Sequence, residues 1–214
     1  LIEAKNWREL EDSFFKILEF GTAGRRGKVG VGCNRINEIT IGESVQALAE
    51  YLIQADLAEK GVVIAHDTRN SSRKFAELSA EILAENGIKT YLFDNYRSTP
   101  ELSFAVRHLE TASGIVISAS HNPPEDNGIK VYWSDGAQIS KPHDKNLMEI
   151  ANKVGQIKTG NYIESVKSGK IEIIGKKVDQ AYILANAQLS LSENRNLKIV
   201  YSPLHGAGIT NLHN

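Results

Sequence analysis

Gly61-Val62-Val63-Ile64-Ala65-His66-Asp67-Thr68-Arg69 opens the most regular stretch of the chain. Its first five residues are apolar and rich in β-branched side chains, and they end abruptly on a polar group. That is the pattern of a short buried strand running into a loop. Ser71 or Ser72 can then cap a helix through Phe75, Leu78, Ile82 and Leu83, which Gly87 closes from the position just past its end. Residues 88–93 read as a second strand. Pro100 sits where the first turn of the next helix should be, and Leu102, Val106 and Leu109 continue it. Gly114-Ile115-Val116-Ile117 is a third apolar strand. This β-α-β-α-β order predicts an α/β fold, a layered helix–sheet–helix domain on a mostly parallel mixed sheet.

On the N-terminal side, residues 7–18 read as a helix and the glycine- and arginine-rich residues 21–32 as a loop. A helix follows with Ile41, Val45, Leu48 and Leu52 on one face and Thr40 as its expected N-cap. On the C-terminal side, residues 130–133 are expected to form a strand, with Asp135-Gly136 turning after it. Residues 155–170 read as an excursion or linker and residues 178–189 as a helix. A new strand is expected at Leu197-Lys198-Ile199-Val200-Tyr201. The polar segment before it suggests a boundary, giving one domain over residues 1–192 and the start of a second, similar domain over 193–214. So short a second piece cannot hold a core of its own. The first residue is Leu, which suggests a trimmed or incomplete start.

Bulk properties narrow the function. A net charge of −1 with mixed signs gives no basic field for nucleic acid. No apolar run reaches the ~20 residues of a spanning helix. The lone Cys33 cannot form an internal disulfide or a cysteine-rich metal site, and it fits a reducing cytoplasm. Asn70-Ser71-Ser72 matches a glycosylation triplet, with nothing else to suggest secretion.

Parallel sheets present reactive groups in loops beyond strand C-termini, where helix N-termini also point. Three polar clusters occupy such places: the glycine loop, residues 67–72 and residues 118–128. The third is the sharpest, Ser118-Ala119-Ser120-His121-Asn122-Pro123 followed by Asn127-Gly128-Ile129-Lys130. By composition alone it is either a turn or a nucleophile loop.

The whole string resembles the active-site serine loop of the α-D-phosphohexomutases, the phosphoglucomutase/phosphomannomutase superfamily. Further strings agree in the same order. Phe20-Gly21-Thr22-Ala23-Gly24-Arg25-Arg26-Gly27 resembles the family's glycine/arginine motif, and His66-Asp67-Thr68-Arg69 its first strand-end motif. Ser98-Thr99-Pro100 precedes the serine loop, and Tyr201-Ser202-Pro203-Leu204-His205-Gly206-Ala207-Gly208 is similar to the opening of the second domain. Ser118 stands where many members have Thr, and Arg25 occupies a usually apolar slot. Asn34-Arg35-Ile36-Asn37 and residues 132–138 look most like the phosphoglucomutase/phosphopentomutase branch.

The resemblance implies that Ser120 carries a phosphoryl group, exchanged with a phosphosugar through a bisphosphate intermediate. It implies magnesium held by the serine phosphate and by aspartates of a second-domain loop, and an activator of the glucose 1,6-bisphosphate type. It makes His121 and Lys130 candidates for proton transfer or charge stabilisation. Arg26, Thr22, Asn122 and Arg69 become candidates for binding phosphate or substrate. Asp67 and Arg69 read equally as a strand-end ion pair or helix-start device. No Asp-x-Asp-x-Asp cluster occurs in the sequence, so these 214 residues alone are expected not to turn over substrate. Which sugar and which oligomeric state apply stays open.

Rival motifs fail on spacing. For a P-loop at Gly27-Lys28, Thr22 takes the first glycine position and Val29 the Ser/Thr position. A dinucleotide fingerprint at Gly206 lacks its third glycine, and Ser120 lies in no Gly-x-Ser-x-Gly elbow. The remaining rival is a non-catalytic module that binds a sugar phosphate or another partner.

Overall fold

The computed structural model describes residues 2–21, 24–194 and 196–212. Its helices are α1 (Trp7–Phe14), α2 (Glu38–Gln54), α3 (Ser72–Glu85), α4 (Thr99–His108), α5 (His143–Ala151), α6 (Tyr162–Lys167) and α7 (Lys176–Ala187). Its strands are β1 (Gly24–Lys28), β2 (Val62–His66), β3 (Thr90–Phe93), β4 (Ser113–Ile117), β5 (Asp126–Trp133) and β6 (Ile171–Ile174). The six strands form one sheet in the order β1-β5-β4-β2-β3-β6. β4, β2, β3 and β6 run parallel, whereas β5 lies antiparallel to both β4 and β1.

The apolar runs of β2 and β4 are buried along their whole length, as expected for parallel strands covered on both faces. Alternate residues divide between two cores. Ile64, Ile115, Ile117, Ile129 and Val131 pack with Ile41, Leu48, Phe75, Leu83 and Leu147 of α2, α3 and α5. Val63, Ala65, Val116 and Tyr132 pack with Leu102, Val106 and Val178 of α4 and α7. The layered α/β architecture read from the sequence is therefore the one formed.

Helix ends show local chemistry at work. Ser98 caps α4 and Pro100 lies in its first turn. Gly87 takes φ 78 beyond α3, a left-handed conformation that glycine adopts without a Cβ penalty. Ser71 occupies the N-cap of α3 but makes no side-chain capping bond. Thr40 is not the N-cap of α2. Asn37 is: its Oδ1 accepts from the Ile39 and Thr40 backbones, and Thr40 Oγ1 accepts from the Asn37 N–H. Asn37 also donates to the Gly30 and Gly32 carbonyls, joining the glycine loop to the helix start.

Part of the expected glycine loop is a strand. Residues of β1 pair with β5 from Gly24↔Lys130 to Lys28↔Asp126. Gly24 is required there: at φ 138, a Cβ would lie 1.8 Å from the Ile129 carbonyl oxygen. Arg25 turns inward to the Thr40 carbonyl and Glu43, while Arg26 faces solvent. β1 in turn lengthens β5, which begins at Asp126 rather than at Lys130. The first helix stops at Phe14. The expected linker contains α6 and leads into the edge strand β6, and α5 is an addition to the elements expected from sequence. Residues 197–201 form no strand, and Leu197, Ile199 and Val200 are exposed. Strand formation needs a neighbouring backbone, and no described residue offers one here. The chain instead returns to α4, where Asn211 Nδ2 donates to Glu101 Oε2 at 3.1 Å.

Candidate active site

The strand ends set the geometry. β2 ends at His66 and passes into Asp67, β4 ends at Ile117 and passes into Ser118, and the two strands pair in parallel register. The loops after them therefore emerge side by side. With the N-terminal turn of α4 and the returning residues 205–208 they enclose a cleft of about 780 Å³. The carbonyl of His205 accepts a hydrogen bond from Thr68 Oγ1, closing that wall.

Ser120 lies on this cleft, exposed, at φ 58. A non-glycine residue in the left-handed region stores roughly 1–3 kcal/mol and persists only where its surroundings hold it. Here the Ser120 N–H donates to Ser118 Oγ at 2.9 Å, and Ser118 N donates to the Gly128 carbonyl at 2.9 Å. Ser120 Oγ stands 3.2 Å from His121 Nδ1. Asn122, by contrast, spends its side-chain amide on Asp126 Oδ2 at 2.7 Å.

Arg69 reaches under the loop. It donates from Nη1 to the Pro123 and Asp126 carbonyls at 2.6 and 2.8 Å, and from Nη2 to those of Ser120 and Asn122 at 3.2 and 2.7 Å. Its Nε pairs with Asp67 Oδ2 at 3.2 Å. Asp67 also accepts from the Arg69 backbone and from Ser72 Oγ, so its ion-pair and helix-start readings both describe it. Asn127 is fully buried and donates to the hydroxyls of Ser71 and Ser72 at 2.8 and 3.0 Å. Ser71 thus stands at the N-cap of α3 with its hydroxyl bonded to Asn127 and not to the helix backbone.

Lys130 is half-buried on β5, and Arg26 is exposed on β1. Neither lines the cleft, and neither side chain makes a hydrogen bond or ion pair among the described residues. Burial, and then the charge of Arg26, hold the Lys130 ammonium below its usual range, while Asp67 pulls the other way. Burial likewise lowers the His66 imidazole, whose Nδ1 lies 2.8 Å from the Asp67 carbonyl. Thr22 lies outside the described residues. Among the described residues no grouping of three His, Cys, Asp or Glu side chains could hold a metal ion.

One constellation went unread in the sequence. Arg97 lines the cleft and makes a two-pronged bond to Asp179, at 2.8 and 2.9 Å, and a third to Asp94 at 2.9 Å. Beside it Glu101 is fully buried, with Oε1 3.8 Å from Arg97 Nε and no hydrogen-bond donor among the described residues. Burial, with Asp179 alongside, pushes the Glu101 carboxyl up to about 7. A carboxylate three residues after a helix cap reads simply as a first-turn acid, and nothing local announces Asp179, which comes from α7.

A helix–sheet–helix domain that offers a strained, exposed serine beyond a parallel strand has the form of an α/β domain with a candidate reactive loop at its strand ends. Residues 18–158 match the family model described as phosphoglucomutase/phosphomannomutase, alpha/beta/alpha domain I. The chain belongs to that family. A phosphoglucomutase of Staphylococcus epidermidis is 40% identical over 205 residues, 94% of this chain and 37% of that protein. A human phosphopentomutase is 45% identical over 157 residues, 70% of this chain and 26% of that protein. A crystal structure from Thermus thermophilus, assigned as a phosphomannomutase, superposes with a TM-score of 0.69 at 30% identity, covering 82% of this chain and 37% of that one. The chain thus spans between about a quarter and little more than a third of the length of these relatives.

Proposed function

We propose that this chain supplies the phosphoserine-bearing part of a phosphosugar mutase. The enzyme would interconvert sugar 1-phosphate with sugar 6-phosphate, or pentose 1- with 5-phosphate. The observation that carries this reading is Ser120, exposed at a strand C-terminus in a left-handed backbone held by surrounding hydrogen bonds.

In the forward half, a free hydroxyl of the bound sugar monophosphate attacks phosphorus on phospho-Ser120. The phosphorus–Oγ bond breaks, and the hydroxyl proton passes to a base. The bisphosphate turns within the site, and Ser120 Oγ then attacks phosphorus of its other phosphate. The bond from that phosphorus to the sugar oxygen breaks, and the proton returns to that oxygen, releasing the isomer. His121, touching Oγ, and Lys130 are candidates for moving the proton or balancing charge. Arg26, exposed and without a hydrogen bond or ion pair among the described residues, suits a phosphate that arrives from solvent. Arg69 instead serves the loop, since its side-chain donors are engaged by protein, and the Asn122 amide is tied to Asp126.

Magnesium is proposed to neutralise the serine phosphate, which would be this chain's own ligand. The described residues do not otherwise fit a metal, having no cluster of three ligating side chains. Glucose 1,6-bisphosphate fits as the activator that loads Ser120. A cytoplasmic setting agrees with the lone, unpaired Cys33, and no described helix is long and apolar enough to cross a membrane.

The test is intact-mass and peptide mass spectrometry after incubation with glucose 1,6-bisphosphate and magnesium. One added phosphoryl group on Ser120, absent from Ser120→Ala, supports the proposal. No label on Ser120 in the protein that carries this chain, together with no mutase turnover, sinks it and favours a binding module.

A further inference from the structure

Arg69 has five N–H groups on its guanidinium, and all five are engaged. Four end on the carbonyl oxygens of Ser120, Asn122, Pro123 and Asp126, and the fifth on Asp67. No donor is left for a phosphate. Its position is fixed in turn, because Asp67 is held by Ser72 Oγ at 2.5 Å, and Ser72 by the buried Asn127. Asn127 lies on β5 and its Oδ1 accepts from the Gly128 N–H at 2.8 Å. The chain of contacts therefore runs from β2 through α3 to β5 and closes around the serine loop.

We propose that Arg69 is the positioning residue of this site: it holds Ser120 in its left-handed conformation by gathering four loop carbonyls, and it binds neither substrate nor phosphate. The inference rests on the mutase reading for its kinetic consequences but not for its mechanics. Carbonyl oxygens turned to one guanidinium are withdrawn from an incoming phosphoryl group, which they would repel. The N–H of His121 has no protein partner among the described residues, so it stays free for a phosphate oxygen. A lysine in this place would keep the charge but, with one compact ammonium, could not span five acceptors in a planar fork.

Three measurements on Arg69→Lys, Arg69→Gln and Arg69→Gly separate positioning from binding. Amide hydrogen exchange should accelerate at least tenfold across residues 118–127 in both variants and stay unchanged in β2 and β4. In the protein that carries this chain, both variants should lose about 100-fold in kcat, the scale of a misplaced reacting group, with KM for the sugar phosphate moving less than about threefold. Added guanidinium should restore part of the rate to Arg69→Gly. The proposal fails if Arg69→Lys keeps most of the wild-type rate, or if KM rises tenfold while loop exchange is unaltered. Should the arginine variants not fold, Ser72→Ala carries the test by loosening Asp67 and leaving Arg69 in place. Faster loop exchange over a quiet core then supports the clamp, and unchanged loop exchange overturns it. A wild-type protein that takes no phosphoryl group would defeat the mutase reading alone, because the exchange measurement needs no activity.

Discussion

Lys130 shows how one side chain takes its properties from neighbours that never touch it. Burial on β5 disfavours its ammonium, Arg26 repels it, and Asp67 opposes both. Replacing Arg26 with Met removes one of the two depressing influences. Lys130 should then titrate at higher pH in Arg26→Met than in the wild type, while remaining below an exposed lysine because burial persists. Competitive acylation of Lys130 against pH, read by mass spectrometry, measures this directly. Coincident titration curves would show that the arginine's charge is not felt there. In turnover, whichever limb of the pH–rate profile Lys130 governs should shift upward in the same variant. If the lysine must be deprotonated to act, the rising limb moves to higher pH in Arg26→Met. If it serves as a cation, the falling limb does, and either shift is separate from the uniform loss expected with a phosphate contact.

At the scale of elements, β1 is held by features that its composition hides. A glycine is needed at Gly24 because the Ile129 carbonyl oxygen sits where a Cβ would be, 1.8 Å away. Gly24→Ala must therefore move β1 off β5 or distort it, and at φ 138 the side chain is strained in any case. A loss of more than about 1 kcal/mol is expected by denaturant titration, with faster exchange confined first to residues 24–28. Asn37→Ala removes the N-cap of α2 and two bonds to the glycine loop. It should cost about 1–2 kcal/mol, and an unaltered midpoint would deny Asn37 that role. These two residues also mark what was readable from sequence. The central β-α-β-α-β order was legible because buried strands and amphipathic helices carry their own periodicities. β1 was not, because its glycine is set by a partner strand distant in sequence, and Arg25 alternates inward against the usual sense of polarity. The expected strand at residues 197–201 shows the converse, a strand-like composition with no described neighbour to pair with. The serine loop was visible as a motif. Its support by Arg69 was not, since the acceptors are backbone carbonyls and any residue supplies those.

For the whole molecule, the contact that ties distant parts together is an awkward one. Arg97 and Asp179 join the start of α4 to α7, and Asn211 brings the C-terminal segment onto Glu101. Glu101 is completely enclosed among these groups, and its Oε1 has no donor among the described residues. A proton resolves the conflict, because the neutral carboxyl can donate to Asp179 while Oε2 still accepts from Asn211. That is why burial and Asp179 raise the group from 4.5 to about 7. The consequence for stability has a definite sign. Between those two values the folded chain holds a proton that the unfolded chain has released, so stability falls as pH rises through that window. Below it both states are protonated, and the contribution is complete. Glu101→Gln keeps the shape, supplies an N–H towards Asp179 and needs no proton. Its melting temperature should match the wild type near pH 4, separate as pH climbs, and stand a few degrees above it at pH 8. Comparing the two proteins cancels the titration of the groups that do not sense Glu101; Asp179, bonded to it, does. If their melting curves stay parallel from pH 4 to 8, Glu101 is already ionised in the native state, and Arg97 rather than a proton balances it.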